Sequence, residues 1–398
     1  MNDLLGGYGM HALSIDDFKS SRQLDPVRQR RLRSIYETLF LLSNEATGGL
    51  TKQAPSHDLE RRTVGRTDLE ISTLGFGCAA LGNLYERVDD VTARQALAAA
   101  HLGGVRYFDT APYYGHGRSE ARLGEFLRSL DTDAANEVVV STKVGRTLLP
   151  VAPGQEGDFG FVDPLPNRPV FDYSRDAVRI QIENSMTRLG MEHLGLVLIH
   201  DVGAMTHGDA HPERFAQAMD QALPALHELK DQGIVGAVGI GVNEIEVSLA
   251  TLHCADIDVV LLAGRYTLLE QDALSELLPT CQQRGVSVVV GGPFNSGVLA
   301  DDPHYDYGAV PAAVAARVNR LKAVCRRHGV PLPAAALQFP LCHRSVAAVI
   351  PGARSPQEVQ ANLRHFALKI PTALYEELKS EALIVADAPI TTRFPSGG

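Results

Sequence analysis

Four side chains of this sequence, Asp109, Tyr114, Lys143 and His200, are of the types needed to move a proton to or from a substrate oxygen. Asp109 and Tyr114 fall within Tyr107-Phe-Asp-Thr-Ala-Pro-Tyr-Tyr-Gly115, a strand-like stretch that runs directly into a turn. A phenol holds its proton until about pH 10, so it works near neutrality only beside a cation. Lys143, in Ser141-Thr-Lys-Val-Gly145, is the candidate cation, expected to stabilise the phenolate and lower the pKa of Tyr114. Asp109 would keep that lysine charged and oriented, because a buried lysine without a partner tends to lose its proton. His200, in Leu198-Ile-His-Asp201, adds a donor suited to aligning a carbonyl or hydroxyl with the phenol. Taken singly, each has a plain structural reading. Four together at strand ends do not, since buried charge is costly unless a site uses it.

The elements that would position them follow from the pattern of the chain. From Glu60 onward, short β-branched runs alternate with longer helical stretches. A hairpin comes first, with Arg62-Thr-Val and Glu70-Ile-Ser around the turn Gly65-Arg-Thr-Asp68. Eight strands are expected: Thr73–Cys78, Val105–Thr110, Val138–Val144, Leu196–His200, Gly236–Val242, Val259–Gly264, Val286–Gly291 and Val346–Pro351. Helices are expected over Val91–Leu102, Glu120–Leu130, Ser174–Leu189, Arg214–Gln232, Glu244–Leu252, Gln271–Arg284 and Ala313–His328. Eight such units predict a (β/α)8 TIM barrel, whose reactive residues sit where strands end and the next loops begin. A doubly wound fold lacks its phosphate loop here, because Gly75-Phe-Gly-Cys-Ala-Ala-Leu-Gly82 has the wrong glycine spacing.

The chain has 398 residues, 45% of them hydrophobic, which is enough for a large core. Its formal charge of −10 argues against binding nucleic acid, and its apolar runs are far too short to span a bilayer. The start of the chain has no secretory pattern, so a cytoplasmic location is expected, and the odd number of cysteines, five, is read as free thiols. Two regions are expected: an N-terminal extension, 1–59, and a barrel, 60–398. Within the extension, Leu32, Ile35, Leu39 and Leu42 recur at helical spacing and predict an amphipathic helix over Pro26–Ser43, a surface on which a homo-oligomer could form. His207 and His211 share one glycine-containing loop with His200 without ligand spacing from other strands, so no metal is expected.

From Glu60 to about Asp387 the chain resembles the aldo-keto reductases. The resemblance rests on Gly75-Phe-Gly, Phe108-Asp-Thr-Ala-x-x-Tyr-Gly115, Ser141-Thr-Lys143, Arg188-Leu-Gly190 and Leu198-Ile-His200. It implies that Asp109, Tyr114, Lys143 and His200 are a catalytic tetrad with Tyr114 as general acid/base. It also implies a nicotinamide cofactor on the loop Ile350-Pro-Gly-Ala-Arg-Ser-Pro-Gln-Glu-Val-Gln-Ala-Asn362, with Gly352, Arg354, Ser355, Glu358 and Asn362 at binding positions. Ser355 would cap a helix whose amino end attracts phosphate. Arg354 would suit the 2′-phosphate of NADP, whereas the carboxylate of Glu358 would repel it, which tilts the expectation toward NAD. Asn243, Phe294, Ser296 and Gly297 complete the expected cofactor contacts. Ala263 and Gly291 stand where the family usually has glutamine and an aromatic ring, so Arg265, Tyr266 and Phe294 are candidates for holding the nicotinamide instead.

Gly145-Arg146, the insert Pro150 to Ser174, Leu262-Ala-Gly-Arg-Tyr-Thr-Leu-Leu269 and Asn295-Ser-Gly297 narrow the resemblance further. They are similar to the branch that holds D-threo-aldose 1-dehydrogenase, L-fucose dehydrogenase, L-galactose dehydrogenase and pyridoxal 4-dehydrogenase. Such enzymes imply oxidation of a cyclic hemiacetal, for example of L-fucose or L-galactose, to a lactone. Tyr113, Asp201, His304, Tyr305 and Tyr307 are the candidates for holding a small sugar or aldehyde. Two alternatives stand beside this expectation: an NADPH-dependent reductase of aldehydes or ketones using the same tetrad, and a cofactor-sensing regulatory subunit.

Overall fold

The computed structural model describes residues 59–390, so the N-terminal extension up to residue 58, with its expected helix Pro26–Ser43, lies outside the described residues. The strands, in chain order, are β1 Arg61–Thr63, β2 Glu70–Ser72, β3 Phe76–Gly77, β4 Tyr107–Asp109, β5 Val139–Val144, β6 Arg146–Pro150 and β7 Asn167–Phe171. They continue with β8 Leu194–His200, β9 Val235–Val242, β10 Val259–Ala263, β11 Ser287–Gly291, β12 His304–Tyr305, β13 Gly308–Ala309 and β14 Val346–Ile350. Eight of them form one sheet in the order β14-β11-β10-β9-β8-β5-β4-β3, every adjacent pair parallel. Parallel bridges Leu74 to Val349 and Gly77 to Gly352 join its two edges, so the sheet is the (β/α)8 barrel expected. The closing strand is shorter than Thr73–Cys78. Its Gly75 lies so near the Tyr107 ring and the Ile350 side chain that a Cβ there would fall 2.7 Å from each.

Alternation along each strand sorts side chains into two layers. Tyr107, Leu196, Leu198, Val259, Leu261 and Val289 fill the barrel interior, while Phe108, Val140, Val197 and Ile199 pack outward in the large core shared with the helices. The first hairpin adds Val64 and Ile71 to the inner layer. Gly65 donates its N–H to Ser287 Oγ (2.8 Å) and Arg62 donates to the Val346 carbonyl (2.7 Å), both at the first residues of their strands. The hairpin therefore sits at the amino-terminal end of the barrel, opposite the mouth.

Asp89, Ser174 and Ser355 cap helices Asp90–Leu102, Arg175–Leu189 and Pro356–Ala367 with their side chains. The expected helix Arg214–Gln232 is a longer run from His211 to Asp231 interrupted by a π-turn, Ala218–Ala222. Pro224 follows that turn, and a wider turn relieves the clash of its ring with the carbonyl of Asp220. The Arg188-Leu-Gly190 stretch has a structural task. Arg188 Nε and Thr142 Oγ1 both donate to the fully buried Glu120, each at 2.6 Å, which ties two outer helices to β5.

The insert after β5 is not a loose loop. β6 and β7 pair antiparallel from Arg146 to Phe171, and the segment between them folds back over the mouth. Val162 N–H reaches Asn83 O (2.9 Å), Leu165 N–H reaches Gly115 O (3.1 Å), and Tyr85 N–H reaches Gly160 O (3.2 Å).

Candidate active site

β4 and β5 end side by side, with Asp109 opposite Ser141 in the register. Lys143 extends into the interior one turn of the pleat beyond Ser141. Its Nζ donates to Asp109 Oδ2 at 2.8 Å and to the Thr110 carbonyl at 2.9 Å. Ser141 Oγ donates to the other Asp109 oxygen (2.6 Å), and the Tyr107 hydroxyl lies 3.0 Å from Ser141 Oγ. With side chains 1% and 4% exposed, Lys143 and Asp109 are a desolvated ion pair in which both carboxylate oxygens and two of the three ammonium N–H groups have partners.

Tyr114 lies above this pair, its ring centroid 4.7 Å from Lys143 Nζ, so the ammonium faces the ring rather than the hydroxyl. Burial, reinforced by Asp109, Tyr307 and Asp201, pushes the phenol well above its ordinary pKa, and Arg146 opposes the shift. This corrects the expectation that Lys143 lowers it: the lysine charge is spent on Asp109, and the desolvated hydroxyl keeps its proton. His200, from the end of β8, meets the Tyr114 ring edge-on with centroids 5.9 Å apart. The four side chains named from the sequence do come together in one mouth.

Burial, with Arg146 and Lys143 close by, holds His200 well below its ordinary pKa, so it is a neutral imidazole with one N–H to offer. His101, His116, His207, His343 and His365 are shifted the same way, burial first in each. Because the folded pKa values are depressed, the unfolded chain takes up protons first as pH falls through about 6.5, and stability is lost in that direction. The melting temperature is expected to drop as pH is lowered from about 7.5 to about 5.5, and to drop less in His200→Gln. Thermal unfolding across that window checks it; a flat profile contradicts the burial of these rings.

Around the mouth, the structure adds residues that strand-end reasoning passed over. Arg146, from the start of β6, lays its guanidinium on the Tyr113 ring (3.8 Å) and the Phe171 ring (4.6 Å), and donates to Asp201 Oδ2 at 2.7 Å. Asp201 Oδ2 is 3.5 Å from His200 Nε2. Phe161, from the insert, meets Tyr113 edge-on at 5.2 Å and Tyr114 at 6.3 Å. Gly145-Arg146 and the insert were visible as sequence markers, but no pattern showed that they fold onto Tyr113. Tyr307 reaches the mouth through its hydroxyl, 3.2 Å from Asn243 Nδ2. His207 and His211 are engaged by Tyr173 and the Val202 carbonyl.

Residues 73–382 match the model of the aldo/keto reductase family. The chain belongs to this family. Among known proteins it is similar to pyridoxal 4-dehydrogenase of Microbacterium luteolum, 42% identical over 82% of this chain and 98% of that one. It is also similar to D-threo-aldose 1-dehydrogenase of a Pseudomonas species, 40% identical over 79% of this chain and 95% of that one. Of solved structures, an aldo-keto reductase from Bacillus halodurans in its holo form aligns with a TM-score of 0.65 at 27% identity, covering 83% of this chain and 98% of that chain. The protein is an oxidoreductase of a family that uses NAD(P)(H).

In this aldo/keto reductase the expected cofactor residues lie after β11 and β14, with Asn243 after β9. Ser355 accepts the Glu358 N–H (3.3 Å) and Glu358 accepts the Arg354 N–H (2.8 Å), which shapes the amino end of helix Pro356–Ala367. Gly352 is open, and a Cβ there would meet only Gly77 O, at 3.7 Å. Asn362 lines a crevice with Gly75, Phe76 and Pro351. The Arg354 guanidinium is ringed by carboxylates: Glu86 at 3.1 Å, Glu358 at 3.4 Å and Asp302 at 3.5 Å. His304 pairs with Asp302, a partner of Arg354, and stacks on Tyr85, while Tyr305 donates to Glu270 and packs against the outer core, so neither contacts Tyr114. Ser296 accepts the Tyr307 N–H (2.9 Å), and Gly297, at φ +114°, lies against Asp302.

Ala263 and Gly291 are partners in the β10–β11 register, so the two departures from the family pattern are one smooth patch. The candidates for replacing the missing groups are otherwise engaged. Tyr266 is fully buried in the outer core against Phe339, a correction to its expected place, because its strand end turns the ring outward. Arg265 donates to the Asn243 carbonyl (2.8 Å) and pairs with Asp306 (3.1 Å). Phe294 is half-buried against the outer core.

Proposed function

We propose that this protein oxidises the C1 hydroxyl of an aldose hemiacetal, such as that of L-fucose or L-galactose, to the lactone. The observation that carries the reading is the buried Lys143–Asp109 pair beneath Tyr114 with neutral His200 across from it. Relatives of about 40% identity whose names are pyridoxal and aldose dehydrogenases give it its direction.

As the phenolate, formed by loss of its own proton to solvent before the substrate binds, Tyr114 would take the proton of the anomeric hydroxyl at its own oxygen. His200 would donate to that same substrate oxygen and fix its angle to the ring. The Lys143–Asp109 pair holds a fixed dipole beneath the ring with its ammonium end toward Tyr114, so little reorganisation is needed when the phenol ionises. A bound nicotinamide would accept the hydride from C1. The folded-back insert, with Phe159 and Phe161 beside Tyr113, keeps water from the reacting oxygen.

Gly352, Arg354, Ser355, Glu358 and Asn362 fit the adenosine end of such a cofactor, with Asn243, Phe294, Ser296 and Gly297 toward the other end. Three carboxylates around Arg354 leave the cluster net negative, which favours a free ribose hydroxyl over a phosphate and so NAD over NADP. Following cofactor absorbance with L-fucose, L-galactose, pyridoxal and simple aldehydes, with NAD and NADP in parallel, tests both parts. Sugar oxidation with NAD is expected to dominate, and Glu358→Gln to improve the use of NADP about tenfold. Turnover of simple aldehydes alone, with NADPH, would replace the lactone reading by a reductive one.

A further inference from the structure

Arg146 is a charged group that the fold has buried without using all of it. Its side chain is 9% exposed, and the Nη2 bond to Asp201 accounts for one face of the guanidinium fork. Nη1 is buried and has no hydrogen-bond partner among the described residues. An idle buried donor on a charged group is costly, so a fold that needed only the Asp201 contact would gain nothing by keeping it. The position is held from several sides. Tyr113 and Phe171 stack on the guanidinium, and Gly145 before it has φ +106° and no space for a Cβ, which would lie 2.2 Å from the Tyr173 ring.

The pair also sits one step from the chemistry. Asp201 Oδ2, which binds Arg146, is 3.5 Å from His200 Nε2. If His200 holds the reacting oxygen, an oxygen on the neighbouring carbon comes against Asp201 and Arg146. Arg146 supplies a donor and Asp201 an acceptor, and their charges cancel. That combination suits a neutral hydroxyl, which both gives and receives, and offers little to a carboxylate or phosphate facing Asp201. Tyr113 covers the approach, held by a surface hydrogen bond from its hydroxyl to the Phe159 carbonyl at 3.3 Å, a catch that an incoming hydroxyl can displace.

We infer that Arg146 is a specificity-determining residue whose free Nη1, together with Asp201, reads the hydroxyl on the carbon next to the reacting one. The selected substrates are thus α-hydroxy carbonyls and their hemiacetals. The inference rests on the hydride-transfer reading of the mouth and not on its direction.

Reduction of lactaldehyde and propanal, which differ by that one hydroxyl, tests it. The wild-type enzyme is expected to prefer lactaldehyde in kcat/KM on the order of tenfold or more. In Arg146→Met the ratio of the two kcat/KM values collapses to about one, whatever the absolute rate with propanal. Arg146→Lys keeps a charge beside Asp201 but loses the second amino group, and is expected to lose the preference too. No preference in the wild type, a preference surviving in Arg146→Met or Arg146→Lys, or an equal fall for both aldehydes overturns the inference. An enzyme that shows the Arg146 pattern but oxidises no sugar would leave it standing and remove the lactone reading alone.

Discussion

Tyr114→Phe is expected to lower kcat for hydride transfer by about 10³-fold while leaving nicotinamide affinity within about twofold. The substitution removes one oxygen, the only atom of this ring that can accept or return the substrate proton. The ring remains over Lys143 and edge-on to His200, so the contacts that shape the mouth survive. Because burial pushes the phenol up, the wild-type oxidation rate should climb with pH into the alkaline range, as the fraction of phenolate grows. Steady-state kinetics of both proteins over pH, with cofactor titration by fluorescence, decide the matter. A phenylalanine variant that retains a tenth of the activity would mean that another group moves the proton.

The second large effect concerns the ion pair. Lys143→Met is expected to cost about 3–5 kcal/mol of folding free energy, because it strands Asp109 in a site where both partners are almost fully buried. Asp109→Asn should cost less. The amide can still meet Ser141, and Lys143 keeps its bond to the Thr110 carbonyl. The double variant Asp109→Asn/Lys143→Met should recover most of the lost stability, since no buried charge is left unpaired, yet stay inactive. Denaturant unfolding and kcat measured on all three separate the two roles. A stable Lys143→Met variant would refute the burial argument, and an active double variant would remove the pair from the chemistry.

The barrel was legible because eight short β-branched runs alternate with helices, and because the glycine spacing after the first run does not fit the phosphate loop of a doubly wound sheet. The strand-end rule then found Asp109, Lys143 and His200, whose side chains point the way the pleat dictates. What it missed depends on loops folding over long distances. Arg146 was seen as a marker, but its place between Tyr113 and Phe171 depends on the insert becoming a hairpin, and on Gly145 turning the chain. Phe161 lies at the tip of that hairpin, held by backbone bonds to Asn83 and neighbours that leave no sequence trace. The sign of the Tyr114 shift was missed for a different reason. Proximity to a lysine was inferred correctly, but which atom the ammonium faces is a matter of geometry. Tyr266 shows the limit of reading a strand end as a site, because the residue after such an end can turn either way.

The first hairpin limits the routes open to a proton at the site. Val64 and Ile71 close the amino-terminal end of the barrel over a layer made of Tyr107, Leu196, Leu198 and other apolar side chains, with no exposed surface on either hairpin residue. Beneath Lys143, among the described residues, the only polar side chains the barrel layer adds are the Ser141 and Tyr107 hydroxyls, and these are bonded to each other and to Asp109. If Tyr114 takes a proton from substrate, as proposed, that proton would return to solvent upward, through the opening by which the substrate came.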